Sequence, residues 1–143
     1  MEIRHTWVLT HSRELVWKYL ADSELLAKWL MPNDLQPIVG HQFKFSTQPI
    51  PPAQFDGNIF CEILEVQEFE KLSFSWKGGP GDGTISLDTV VTFTLSTVGS
   101  DTLLELVHSG FVEGKNDMAH MFMGMGWGGP IYNRLAEALQ NAG

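Results

Sequence analysis

The chain has 143 residues, of which 43% are hydrophobic and 18% are charged. This size and composition predict one folded domain spanning residues 1–143 and exclude a disordered chain. The formal net charge of −8 at pH 7 opposes binding to nucleic acid, because phosphates are neutralised by clustered Lys and Arg. No apolar run approaches the roughly 20 residues that cross a bilayer, so no membrane association is expected.

Cysteine and histidine usage limits the chemistry that the chain can perform. Cys61 is the only cysteine, so an intramolecular disulfide is excluded. The first residues, Met1 to His5, lack the apolar stretch of a signal peptide, and we therefore expect a cytoplasmic protein. The five histidines show no metal-binding spacing, so neither a metal site nor a cofactor is predicted.

The N-terminal part of the chain predicts one strand followed by two short helices. Residues 3–9 have the composition of a strand. Val16 and Leu20 lie four residues apart, which places them on one stripe of a first helix. Asp22 is a suitable N-cap for a second helix, which Pro32 is expected to stop.

Alternating apolar and polar residues in the middle of the chain predict a meander of antiparallel strands. Leu72, Phe74 and Trp76 alternate with serines, so one face of the sheet is expected to be apolar and the other solvated. In the last strand, both alternating sets of residues contain apolar side chains. We expect the set that includes Leu106 and His108 to point towards the interior. The strands are expected over residues 42–47, 58–66, 71–77, 86–97 and 102–109.

The C-terminal segment carries apolar residues at three- and four-residue spacing over residues 116–141, which predicts a long helix. Four glycines and Pro130 lie between positions 124 and 130, and both residue types are poor interior helix formers. We therefore expect the helix to bend or split there, with residues 131–139 as its firmer half.

Several short motifs follow one another along the chain. They are Asp22-Ser-Glu-Leu-Leu-Ala-Lys-Trp29-Leu30, Phe55-Asp-Gly57, Leu72-Ser-Phe-Ser-Trp76, His108-Ser-Gly-Phe111 and Gly126-Trp127-Gly128. In order and spacing they resemble the activator of Hsp90 ATPase homologue 1-like (AHSA1-like) family of the SRPBCC superfamily, also called START or Bet v 1-like. The resemblance implies an α+β helix-grip fold, with a curved antiparallel sheet, two short N-terminal helices and a long C-terminal helix.

Members of this superfamily enclose a cavity between the sheet and the last helix, so the resemblance implies an apolar pocket. Met121 and Met125 are candidates to line it with adaptable thioethers. Ordinary core packing explains the same residues equally well. The apolar candidates for binding a ligand are Trp29, Trp76, Phe93, Met121 and Met125.

Two polar residues complete this candidate ligand-binding site. On the inward phase, His108 could orient a ligand or transfer a proton, although a histidine held by structural hydrogen bonds fits the same position. Glu62 alternates with Cys61 and Ile63, so its direction depends on the phase of that strand. An inward carboxylate would need a partner or a raised pKa. No residue is assigned as catalytic.

The leading hypothesis is a protein that binds a small hydrophobic molecule, with little or no enzymatic activity. One alternative is a cyclase-, aromatase- or hydratase-like enzyme that uses His108, with Glu62 assisting proton transfer. A second alternative is a protein-interaction module of the co-chaperone type. A homodimer or a chaperone partner is compatible with the resemblance, and no residue pattern identifies either.

Overall fold

The computed structural model describes residues 1–142. Its strands form one antiparallel sheet in the order β1-β6-β5-β4-β3-β2. The strands are β1 (Glu2–Leu9), β2 (Gln42–Ser46), β3 (Asn58–Gln67), β4 (Lys71–Gly78), β5 (Leu87–Val98) and β6 (Asp101–Ser109). The α-helices are α1 (Arg13–Ala21), α2 (Ser23–Ala27), α3 (Asp117–Gly126) and α4 (Tyr132–Asn141), and a π-helical turn, Trp127–Ile131, joins the last two. This arrangement confirms the predicted helix-grip fold.

The sheet buries one face, as the alternation predicts. Phe93 of β5 lies opposite Leu72 of β4 and Leu106 of β6, and all three are at most 1% exposed. Burial of each such side chain contributes about 1.5–3 kcal/mol. Leu106 and His108 are both 0% exposed, so the predicted inward phase of β6 is confirmed.

Strand β3 corrects one predicted site residue. Cys61 and Ile63 are buried, whereas Phe60 is 51% exposed. Glu62 shares the phase of Phe60, and its backbone N–H donates to Ser75 Oγ at 2.9 Å. Because side chains alternate along a strand, Glu62 lies on the outer face of the sheet, and an inward position for it is wrong.

Asp22 makes the connection between the two N-terminal helices. Its backbone N–H donates to the Lys18 carbonyl at 3.0 Å and ends α1. Its carboxylate accepts from the N–H groups of Glu24 and Leu25 at 3.0 and 3.1 Å, which satisfies two of the unpaired donors that begin α2. The predicted N-cap is confirmed.

Helix α2 is shorter than predicted, because it ends at Ala27 rather than beside Pro32. The N–H groups of Lys28 and Trp29 donate to carbonyls three residues back, at 3.2 and 3.3 Å, which tightens the last turn into 3₁₀ geometry. The indole N–H of Trp29 then donates to the Tyr19 carbonyl at 2.8 Å. This bond fixes Trp29 in the core beneath α1.

The C-terminal helix is not split at its glycine-rich stretch. Pro130 has no N–H to donate along the helix, and the chain accommodates it with the π-helical turn Trp127–Ile131. Such turns occur mostly as single insertions within α-helices. Gly128 brings the turn close to β1, since a Cβ there would lie 3.0 Å from the His5 imidazole. None of the helices within residues 1–142 has the length and apolar character that a membrane span requires.

Candidate functional site

A cavity of about 170 Å³ lies between the sheet, the loops at its end and the C-terminal helix. The sheet and loops line it with Leu30, Met31, Thr47, Ile50, Phe55, Ile59 and Trp76. The helical side contributes Phe122, Met123, Gly126, Trp127, Ile131 and Arg134. Apart from Thr47 and Arg134, the lining residues are apolar or aromatic. An engineered cavity of about 150 Å³ holds benzene, so this volume accommodates a single ring.

The loop between β2 and β3 forms one wall of the cavity and is closed by backbone hydrogen bonds. Thr47 N–H donates to the Gly57 carbonyl at 2.8 Å. Ile50 N–H donates to the Phe55 carbonyl at 2.9 Å, and Phe55 N–H donates to the Ile50 carbonyl at 3.3 Å. Gly57 has φ +97°, and a Cβ at this position would overlap the Thr47 carbonyl oxygen. Only glycine fits here without strain, so the wall has a defined shape.

Trp76, one of the predicted ligand-binding residues, lines the cavity from the sheet side. The residue is 3% exposed, and its ring lies against Trp127, with centroids 5.8 Å apart. Among the described residues, Trp76 Nε1 is the one buried side-chain nitrogen or oxygen that has no hydrogen-bond partner. A buried donor left without an acceptor destabilises a fold by about 1–3 kcal/mol. Its N–H is therefore an unsatisfied polar group on a residue that lines the cavity.

His108 contacts Trp76 and Trp127 and belongs to a hydrogen-bond network. The positions of the protons in this network can be assigned, because some of its groups can only donate. Trp127 Nε1–H can only donate, and it bonds His108 Nδ1 at 3.1 Å. The Thr89 hydroxyl donates its single proton to the Trp76 carbonyl at 2.8 Å. His108 Nε2 must therefore carry the proton that it donates to Thr89 Oγ1, also at 2.8 Å.

The environment of His108 opposes acid/base chemistry. Burial, helped by the charge of His120, lowers the pKa of His108 to about 3. Both ring nitrogens are hydrogen-bonded, the residue is 0% exposed, and it does not line the cavity. The enzyme alternative depends on proton transfer between His108 and a bound ligand. In this position, His108 does not reach a ligand in the cavity.

Two other predicted site residues, Trp29 and Phe93, belong to the core. Their rings contact each other edge to face, with centroids 6.1 Å apart, and both are at most 1% exposed. Neither lines the cavity, so this part of the prediction is wrong. Trp29 nevertheless contributes indirectly, because its backbone carbonyl accepts from Arg134 Nε at 3.0 Å.

The two predicted methionines lie on the surface. Met121 and Met125 are 49% and 66% exposed, and neither lines the cavity. Phe122 and Met123 occupy the helix wall instead. The prediction assigned the wrong side of α3, because this helix is apolar on most of its circumference and its sequence pattern does not fix the buried side.

The sequence interpretation missed the other residues of the helix wall, although their spacing carries a signal. Trp127, Ile131 and Arg134 follow one another at four- and three-residue intervals, which places them on one side of a helix. Arg134 is charged, and charged residues are mostly exposed to solvent, so composition alone does not indicate a site there. The spacing from Trp127 would have included it.

Other reactive groups do not form a second site. Among residues 1–142, no cluster of three or more His, Cys, Asp or Glu side chains could hold a metal ion. Cys61 is buried, and this burial raises the pKa of its thiol well above the usual range. The thiol is therefore protonated and a weak nucleophile.

Comparison with solved structures identifies proteins of the same architecture. Protein MLL2253 from Mesorhizobium loti is 30% identical, with a TM-score of 0.87 over 100% of this chain and 99% of that chain. Protein BH1534 from Bacillus halodurans is also 30% identical, with a TM-score of 0.75 over 97% of this chain and 96% of that chain. The Aha1 dimer from Colwellia psychrerythraea shares the fold at 23% identity and a TM-score of 0.75, over 97% and 96% of the two chains.

Comparison at the sequence level assigns the family. Among curated proteins, no sequence matches the chain. The family model described as activator of Hsp90 ATPase homolog 1-like protein matches residues 10–140, which include both N-terminal helices, five of the strands and most of the C-terminal helix. The chain therefore belongs to the activator of Hsp90 ATPase homolog 1-like family.

Proposed function

We propose that the protein binds a small hydrophobic molecule carrying a hydrogen-bond acceptor, in the cavity between the sheet and the C-terminal helix. The observation that carries this proposal is the buried indole N–H of Trp76, which has no acceptor among the described residues. A small shift of the Trp76 ring would bring this N–H to the cavity surface, where a carbonyl, ether or hydroxyl oxygen of a ligand would accept from it. The hydrogen bond would offset the desolvation of this N–H, while the ring of the ligand gains apolar contact.

The cavity volume restricts the size of this ligand. Sites for drug-sized molecules span about 300–1,000 Å³, whereas this cavity has about 170 Å³. A compound of one ring, or a short aliphatic chain, matches the volume without rearrangement. A fused polycyclic compound would have to displace the helix wall at Phe122 and Met123.

Acetophenone, which joins one ring to one carbonyl, is expected to shift the indole proton of Trp76 downfield in ¹H–¹⁵N correlation spectra. The chain has five tryptophans, and loss of one cross-peak in Trp76→Phe assigns the signal. Ethylbenzene has a similar shape but no acceptor, so we expect it to bind without the downfield shift. The carbonyl should improve affinity roughly five-fold, and Trp76→Phe should abolish this difference. If saturating acetophenone leaves every buried indole unchanged, the proposal is wrong.

A second proposal concerns self-association through an exposed apolar stripe on α3. The stripe consists of Met118, Met121, Phe122 and Met125, which are 37–66% exposed and lie at the i, i+3, i+4 and i+7 positions of one helix side. Two copies with a net charge of −8 repel each other, so an uncharged surface is the favourable place for them to meet. The Colwellia relative is described as a dimer, which supports a homodimer here.

Light scattering during size-exclusion chromatography is expected to give the mass of a dimer for the wild-type chain. Met121→Lys should give a monomer, because two copies of the new charge would be desolvated at the contact. Val98→Lys is the control, since Val98 is 51% exposed at the far end of β5 and should leave the dimer intact. A wild-type monomer at a protein concentration of about 100 μM would exclude a stable dimer.

A further inference from the structure

We infer that the natural ligand of this cavity is a small organic acid whose carboxylate binds Arg134; this inference rests on the proposed function of the cavity. Among the described residues that line the cavity, Arg134 is the one with an ionisable side chain. It is an exposed residue, so it marks the mouth. The remaining lining is suited to the apolar part of the same molecule.

The guanidinium of Arg134 is oriented by a single hydrogen bond. Its Nε donates to the backbone carbonyl of Trp29 at 3.0 Å, which ties α4 to the turn after α2. A guanidinium has five N–H donors, so the four on its two terminal nitrogens are not needed for this contact. These four form the planar fork that binds a carboxylate through two parallel hydrogen bonds.

Arg134 is also without an anionic partner within the described part of the chain. The ion pairs of residues 1–142 involve Arg4, Lys71 and Lys77, and Arg134 is in none of them. The chain has 17 acidic residues and 9 basic residues, so carboxylates are abundant. An oriented arginine that pairs with none of them, beside an apolar cavity, is a suitable site for the carboxylate of a ligand.

Trp76 and Arg134 then have different tasks in the cavity. The Trp76 N–H lies in a fully buried setting and selects a hydrogen-bond acceptor on the ligand. Arg134 lies at the mouth, where a carboxylate keeps part of its hydration and the penalty for burying a charge is avoided. An aromatic or short-chain carboxylic acid that also carries a hydroxyl, ether or carbonyl oxygen on its inner part satisfies this division, with that oxygen at Trp76 and the carboxylate at Arg134.

The test compares phenylacetate with phenylacetamide, which have nearly the same shape but differ in charge. By isothermal titration calorimetry, we expect wild type to bind phenylacetate about ten-fold more tightly than phenylacetamide. Arg134→Gln should lose this preference by weakening the acid alone, whereas Arg134→Lys should keep part of it, because the charge remains but the fork is lost. Raising the salt concentration should weaken binding of the acid and leave the amide unchanged.

Arg4→Gln is the matched control, because it changes the net charge equally on the outer face of β1. It should bind both compounds as wild type does. If both compounds bind equally well to wild type and to Arg134→Gln, the inference about the carboxylate is wrong and the proposed function stands. If neither compound binds, and acetophenone also fails, the proposed function is wrong and this inference with it.

Discussion

Trp127→Ala is expected to lower the free energy of unfolding by about 4 kcal/mol, in the range measured for truncating large buried aromatic residues. Trp127 is 1% exposed, and its ring contacts Phe93 and Trp76 at centroid distances of 6.0 and 5.8 Å. The substitution would also leave His108 Nδ1 buried without a donor. Loss of packing and an unsatisfied nitrogen therefore act together.

Trp127→Phe separates these two contributions. It keeps an aromatic ring against the sheet but removes the hydrogen bond to His108, so we expect a loss of about 1–2 kcal/mol. Urea denaturation followed by far-UV circular dichroism measures both variants without relying on tryptophan fluorescence. Equal destabilisation by alanine and phenylalanine would show that the hydrogen bond, and not the packing, anchors the helix.

Acidification from about pH 8 to about pH 5 is expected to remove about 2 kcal/mol of stability through His108 alone. Burial lowers the pKa of His108 to about 3 in the folded protein, whereas an unfolded histidine titrates near 6.5. Below about pH 6.5 the unfolded chain therefore binds a proton that the folded chain does not. This contribution is fully present above the unfolded pKa and decreases as the pH falls towards the folded pKa.

His108→Gln isolates this contribution, since glutamine keeps a donor and an acceptor but does not titrate. The variant should be less stable than wild type near pH 8, and the difference should shrink on acidification. Urea denaturation at several pH values measures the two profiles. Parallel profiles for the two proteins would contradict a neutral, buried His108 and would imply that the imidazole reaches solvent.

The strands could be predicted because each one buries a single face. In β5, Phe93 alternates with polar Thr92 and Thr94, and this period of two fixes both the element and its inward side. The N-cap role of Asp22 could be predicted for a similar reason, because it depends only on hydrogen bonds between a short side chain and the backbone of neighbouring residues. Boundaries set by such local rules agree with the structure within one or two residues.

The residues that line the cavity could not be predicted with the same success. Their identity depends on how deeply each inward side chain lies in the core and on which side of the C-terminal helix faces the sheet. Trp29 and Trp76 are both inward and aromatic, and nothing in the sequence indicates that only Trp76 borders empty space. For Met121 and Met123, an almost uniformly apolar helix leaves the buried side undetermined. The hydrogen-bonded network of His108 joins residues of four separate elements, so it exists only once the fold is formed.

The π-helical turn Trp127–Ile131 determines how the second half of the C-terminal helix is rotated relative to the first. In a regular α-helix, a row of every fourth residue drifts by about 40° per step, so one side cannot face the sheet for long. The wider turn absorbs part of this drift, because its hydrogen bonds enclose one more residue. The row that remains buried or half-buried is Ala119, Met123, Trp127, Ile131, Leu135 and Leu139.

The number of residues in this turn therefore matters for the fold independently of which residues they are. Loss of one residue would turn α4 by about 100°, moving Leu135 off the sheet and Arg134 away from the cavity. Homologues that differ freely in the sequence of this segment should still share its length. The π-helical turn thus fixes the rotation of α4, which carries Arg134 at the mouth, relative to α3, which forms part of the cavity wall.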